Sequence, residues 1–132
     1  STDLHVLCMN QGMLDMPTTM SKFLVMGMPL IEVIRSSTTN PAKEIGHPEL
    51  GHLSVGAVAD VAVLNKLQCH FGYADSFGRK IVGAERLVCE LTLKDGQVAW
   101  DWNGRVGSDY RKLGASYGIR QGEYLVVPPE VQ

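Results

Sequence analysis

The sequence predicts an α+β chain, with helices first and strands after them. Apolar residues recur at helical spacing up to about residue 50, then fall into short runs or alternate between glycine turns. Asp95-Gly96 lies between two such strand-like runs, and a type I′ hairpin turn needs positive φ at both of its central residues. The 132 residues leave room for one domain, and a chain of that size buries roughly two-thirds of its unfolded surface.

Residues 1–17 show little periodicity and read as an irregular loop after a short strand. From Thr18 to Met26, the residues Met20, Phe23 and Leu24 suit one helix face, with Thr18 or Thr19 as N-cap and Gly27 as stop. Pro29 suits the first turn of a second helix, with Leu30, Ile31, Val33 and Ile34 inside it and Glu32 near the positive end of its dipole. Asn40-Pro41 signals a third, short helix, Asn as cap and Pro in first position. Ala42 and Ile45 give that helix a buried side, and Gly46 ends it. The methionines Met9, Met13, Met16, Met20, Met26 and Met28 read as core filling.

Beyond Gly51, Val58 to Leu64 is an apolar run broken by Asp60, expected as a strand covered on both faces. Asp60 must then find hydrogen-bond donors, and nearby backbone N–H groups are the expected ones. Gly51 and Gly56 bracket a turn around Leu53, an expected apolar anchor. From Arg86 to Leu93, Leu87, Cys89, Leu91 and Leu93 form a buried side, while Arg86, Val88, Glu90 and Thr92 form a mostly wet one. The turn Asp95-Gly96 and the strand Gln97-Val98-Ala99-Trp100 follow. The glycine-rich tail holds one more candidate strand, Tyr124 to Val127.

Composition excludes several classes of function. A hydrophobic fraction of 45% and a charged fraction of 20% are ordinary for a globular protein. A net charge of −2 leaves no basic footprint for nucleic acid or an anionic membrane. No apolar run reaches the roughly 18 residues that would span a bilayer. The start, Ser1-Thr2-Asp3-Leu4-His5, has neither the features of a secretory signal nor an initiator Met. A fragment explains that start, as does Met removal before Ser. Cys8, Cys69 and Cys89 are odd in number and widely spaced, so reduced thiols and a cytoplasmic location are expected. Phosphate-binding glycine loops are absent from the sequence.

Three stretches together resemble the amidohydrolase superfamily. Gly27-Met28-Pro29-Leu30-Ile31-Glu32-Val33-Ile34, running into Thr38-Thr39-Asn40-Pro41-Ala42, looks like that family's last barrel helix and its T-x-N-P-A helix start. Gly51-His52-Leu53-Ser54-Val55-Gly56-Ala57-Val58-Ala59-Asp60 is similar to the G-x-L-x-x-G-x-x-A-D segment that returns the chain to a β-sandwich. The hairpin through Asp95-Gly96-Gln97-Val98 is like the family's closing D-G-x-V strand pair. The resemblance covers about residues 1–105, and its details look most like the dihydroorotase-like or N-acyl-D-amino-acid deacetylase-like branch. Residues 65–82 and the tail after Arg105 match nothing in the pattern.

The resemblance implies the C-terminal fragment of a (β/α)8 metal-dependent hydrolase. Residues 1–50 would end the barrel, 51–105 would supply carboxy-terminal strands of a small β-sandwich, and 106–132 would form a mostly loop extension. The family's metal site lies at the carboxyl ends of the barrel strands. Its implied ligands are an H-x-H pair, a bridging Lys or Glu, two further His, and an Asp after the eighth strand. The metal, with zinc as the first expectation, lowers the pKa of bound water and polarises the scissile carbonyl, while the Asp takes up the water proton and passes it on.

Asp3 falls where that Asp would stand, which implies metal ligation and general-base work completed by ligands from outside this chain. A solvated Asp is the alternative reading. His5 follows at the mouth of the implied pocket, and Asn10 and Gly12 lie in the loop that would close over substrate. His5, His47, His52 and His70 contain no H-x-H and no i,i+4 pair, so surface or hydrogen-bonded histidines are expected. Cys8 has no base paired with it in sequence. Expected partners are a small acylated substrate, without nucleic acid or membrane. The chain alone is expected to be inactive and to bind no metal, because useful affinity takes three or four converging ligands. The competing expectation is a non-catalytic structural module that self-associates into a homo-oligomer to hide apolar surface.

Overall fold

A computed structural model describes residues 14–112. Helices α1 (Met16–Val25), α2 (Leu30–Ser37) and α3 (Thr39–Glu44) precede strands β1 (Val61–Ala74), β2 (Lys80–Lys94) and β3 (Gln97–Asp101). The strands form one antiparallel sheet in the order β1-β2-β3, and α1 packs across β2. A 3-10 turn, Tyr110–Lys112, follows. The expected α+β class is therefore observed, and the expected strand at Tyr124 to Val127 lies outside the described residues.

The N-cap of α1 is Asp15 rather than Thr18 or Thr19. Its Oδ1 accepts from the Thr18 N–H at 2.7 Å. Pro17 fits the first turn, where its missing N–H costs nothing, and both threonines are buried inside the helix instead of preceding it. The helix ends as expected at Gly27, with φ of 92°. Pro29 stands immediately before α2, whose first turn carries Glu32.

Asn40-Pro41 does not open α3. The helix starts two residues earlier than Pro41, with Thr38 at the junction. The Thr38 hydroxyl donates to the Ile34 carbonyl at 2.8 Å, and its carbonyl accepts from the Ala42 N–H at 3.2 Å. One residue thus closes α2 and opens α3, while Pro41 still falls in the first turn, where no N–H is required. Gly51 folds back against this junction: a Cβ there would lie 2.6 Å from the Thr38 carbonyl oxygen, at a backbone φ of 76°. Only glycine satisfies both conditions.

The expected strand at Val58 to Leu64 is displaced and uncovered. β1 begins at Val61 and runs to Ala74, with Val58 and Val63 exposed. Residues 65–82, which matched nothing in the family pattern, form the longer arms of the β1–β2 hairpin. Their turn is organised by Asp75, whose Oδ1 accepts from the N–H groups of Phe77 and Arg79, each at 2.8 Å. Leu53 does not act as an anchor among the described residues, since it is 79% exposed. The β2–β3 turn matches expectation: Lys94 pairs with Gln97 across Asp95 (φ 50°) and Gly96 (φ 76°).

Two bulges reset the alternation of the hairpin. Val63 pairs with Leu91 but Leu64 pairs with Cys89, so Glu90 is an extra residue on β2. Gln68 pairs with Glu85 but Phe71 pairs with Gly83, which leaves Cys69 and His70 opposite Ala84. The described core is small: Met20 from α1, Val33 from α2 and Leu87 from β2, with Met16, Leu24, Met28 and Leu64 packed around them. Burying side chains of this size contributes about 1.5–3 kcal/mol each. The methionine expectation therefore holds for Met20, Met16 and Met28, whereas Met26 is exposed; Met9 and Met13 lie outside the described residues.

Candidate functional site

The sequence-predicted site residues Asp3, His5, Asn10 and Gly12, and with them Cys8, all lie outside the described residues. The segment carrying them enters the described fold at Leu14 and Asp15, at the head of α1. There α1, β2 and β3 border an open cavity of about 400 Å³, lined in part by Asp15, Thr18, Arg86, Cys89, Trp100 and Trp102. A second cavity of about 310 Å³ separates α1 from α2, between Met16, Thr19, Phe23, Met28 and the hydroxyls of Ser36 and Ser37.

Among the described residues, no three His, Cys, Asp or Glu side chains gather in a way that could hold a metal ion. The histidines described behave as local or surface groups. His47 Nδ1 lies 2.8 Å from Glu49 Oε1, and His52 Nδ1 accepts from the Ser54 N–H at 3.3 Å. His70 sits beside Cys69 in the exposed β1 bulge. Cys69 and Cys89 are free thiols, Cys89 within 3.2 Å of the Thr92 hydroxyl.

One polar centre departs from the sequence pattern. Glu90, expected on a wet face, is only 4% exposed. The bulge turns it off the regular alternation, and Oε1 accepts from Asn65 Nδ2 of β1 at 3.1 Å. Its other carboxylate oxygen accepts from Asn103 Nδ2 at 3.5 Å and pairs with Arg105. The Asn65 amide does most to hold the Glu90 carboxyl below its ordinary pKa; burial opposes it, and the Arg105 charge and the remaining hydrogen bonds add to the lowering. The sequence signal is a carboxylate inside an otherwise apolar run, with Asn and Arg soon after the hairpin.

Asp60 behaves as expected of a carboxylate in an apolar run. Its Oδ1 accepts from the Asp95 N–H at 2.8 Å and its Oδ2 from Lys94 Nζ at 2.7 Å, so it ties the start of β1 to the hairpin turn. Those two bonds, the backbone one foremost, lower its pKa. These centres position backbone; neither offers a nucleophile beside a base.

The Amidohydrolase family profile matches residues 1–98. A deacetylase of Brucella anthropi is 41% identical over 78 residues, which is 59% of this chain and 19% of that protein. A deacetylase of Agrobacterium fabrum is 40% identical over a stretch of the same length. Among solved structures, a dihydroorotase superposes with a TM-score of 0.67 and 32% identity, covering 74% of this chain and 27% of the other. An adenine deaminase superposes with a TM-score of 0.62 and 30% identity, covering 66% and 23%. The chain thus spans about a fifth of the length of the curated relatives it matches. Matched continuously over well more than half its length, the chain belongs to the amidohydrolase family.

Proposed function

We propose that this chain is the C-terminal part of a metal-dependent amidohydrolase that hydrolyses an amide or ester bond of a small acylated substrate. The family match over residues 1–98 carries the reading, and the two relatives named as deacetylases direct it towards acyl groups. On this reading residues 1–50 end a (β/α)8 barrel, 51–105 belong to a β-sandwich and 106–132 extend it. Asp3 would act at the metal as ligand and base, with His5, Asn10 and Gly12 bordering the substrate.

Among the described residues no side chains gather to hold a metal ion; on this reading Asp3 is completed by ligands from polypeptide outside this chain, because useful affinity takes three or four of them. Apolar exposure supports the same view. Ile31 is 54% exposed, Ile45 67% and Leu53 79%, on helices and a connection that a barrel would cover. That exposure also favours a second reading, in which the chain is a non-catalytic module that self-associates.

An assay of the full-length parent on N-acetylated amino acids and acetyl esters tests the first reading. Metal-dependent turnover that is lost in Asp3→Asn is the expected result, and stoichiometric metal with turnover by the 132-residue chain itself would overturn it. Sizing of the chain in solution tests the second reading, which a well-behaved monomer would exclude.

A further inference from the structure

Residues 102–106 follow β3 in a turn beside Glu90, and polar contacts hold them there. The Trp102 N–H donates to the Glu90 carbonyl at 3.0 Å, the Asn103 and Arg105 side chains meet the Glu90 carboxylate, and the Val106 N–H donates to Asp101 Oδ2 at 2.9 Å. Apolar burial contributes little: Trp102 is 53% exposed and Val106 60%. Glu90, by contrast, is fixed from below by Asn65 and by its place in the bulge. Trp102 also forms part of the wall of the 400 Å³ cavity at the head of α1.

We infer that residues 102–106 are a strap that opens as one piece, that Glu90 is its clasp, and that opening the strap removes a wall of the cavity beside Asp15 and Thr18. Segments held by few apolar contacts and by solvent-accessible hydrogen bonds open locally, well before the sheet does. Arg105 is the charged side chain that meets Glu90. β1 presents only the neutral amide of Asn65, and the β3 carboxylate, Asp101, is turned to the strap's own N–H groups. Protonating Glu90 takes its negative charge away from Arg105, so acid opens the strap. This inference is independent of the proposed hydrolase activity.

Amide hydrogen exchange on the 132-residue chain tests it, with Arg105→Ala and Glu90→Gln beside the wild type. The Trp102 and Val106 amides are expected to exchange about tenfold faster in Arg105→Ala, the scale of one lost charge-assisted hydrogen bond, while the Lys80–Lys94 amides stay unchanged. In a Trp100→Phe background, Trp102 emission should shift to longer wavelength on mild acidification, and the shift should already be present at neutral pH in Arg105→Ala. Strap amides that keep the wild-type rate in Arg105→Ala would overturn the inference, as would strap and sheet exchanging at one common rate in the wild type. Arg105 is mostly exposed, and unchanged exchange of the Lys80–Lys94 amides in its Ala variant shows that the sheet persists, so that variant decides the question even if Glu90→Gln does not fold.

Discussion

The Ser21 hydroxyl accepts a hydrogen bond from the Leu87 N–H at 2.8 Å and donates one to the Pro17 carbonyl at 2.6 Å. β3 reaches only Leu91 to Lys94, so at Leu87 the side of β2 away from β1 has no described strand to receive a backbone donor. The fully buried helix serine takes that place. Ser21→Ala leaves the Leu87 N–H buried and unpaired, and the expected loss is about 1–3 kcal/mol in denaturant unfolding. An unchanged midpoint would show that the N–H finds another acceptor.

Where Val25 meets β2 there is no spare volume. A Cβ at Gly83 would lie 2.2 Å from Val25 Cγ2. Gly83→Ala should therefore separate α1 from the sheet or distort β2, at a cost of about 1–3 kcal/mol. The double variant Gly83→Ala, Val25→Ala should recover part of that stability, and simple additivity would contradict the contact.

At the α2–α3 junction, Gly51→Ala should cost distinctly more than Gly56→Ala. Both residues have positive φ, which sets back alanine by roughly 1–2 kcal/mol. Only at Gly51 does the added methyl also meet a backbone carbonyl; at Gly56 nothing lies within 4 Å. Thermal melts of the two variants side by side decide the point.

Acid should destabilise the fold partly through Glu90. Its folded-state pKa is lowered from the ordinary 4.5. The ionised carboxylate therefore stabilises the folded state fully above about that pH, and the gain is lost as pH falls through the lowered folded value. Glu90→Gln should show a flatter dependence of melting temperature on pH below 4.5 than the wild type. Parallel curves would mean that other carboxylates dominate.

Added zinc should not raise the melting temperature of the 132-residue chain, because ligand binding to the native state stabilises by mass action and the described residues converge on no cation. A concentration-dependent rise that disappears in Asp3→Asn would instead place a usable site in the first residues.

Features governed by short-range rules are legible in the sequence. Asp95-Gly96 dictates a turn through its φ values, and Asp60 announces its need for donors because it interrupts valines and alanines. The position of α1 is legible but its cap is not, because two threonines compete with Asp15 for one role. The hairpin arms at 65–82 match no family motif, and their strand signal lies in alternation alone, Leu67, Cys69, Phe71 and Tyr73 against Lys66, Gln68 and His70. Simple alternation puts Glu90 on the wrong side because it cannot register an inserted residue, and the Ser21–Leu87 bond spans 66 positions. Asp3 is identified by family likeness alone.

The outer margin of β1 has a use of its own. No described strand pairs with it, so among the described residues its outward N–H and C=O groups along Val61 to Gln68 have the arrangement that receives a donor strand. The kink at Cys69-His70 ends that template, so a complementing peptide would need to match only the first half of β1. Supplied in trans, such a peptide would turn this chain into the receiving half of a split reporter, its register set by the kink.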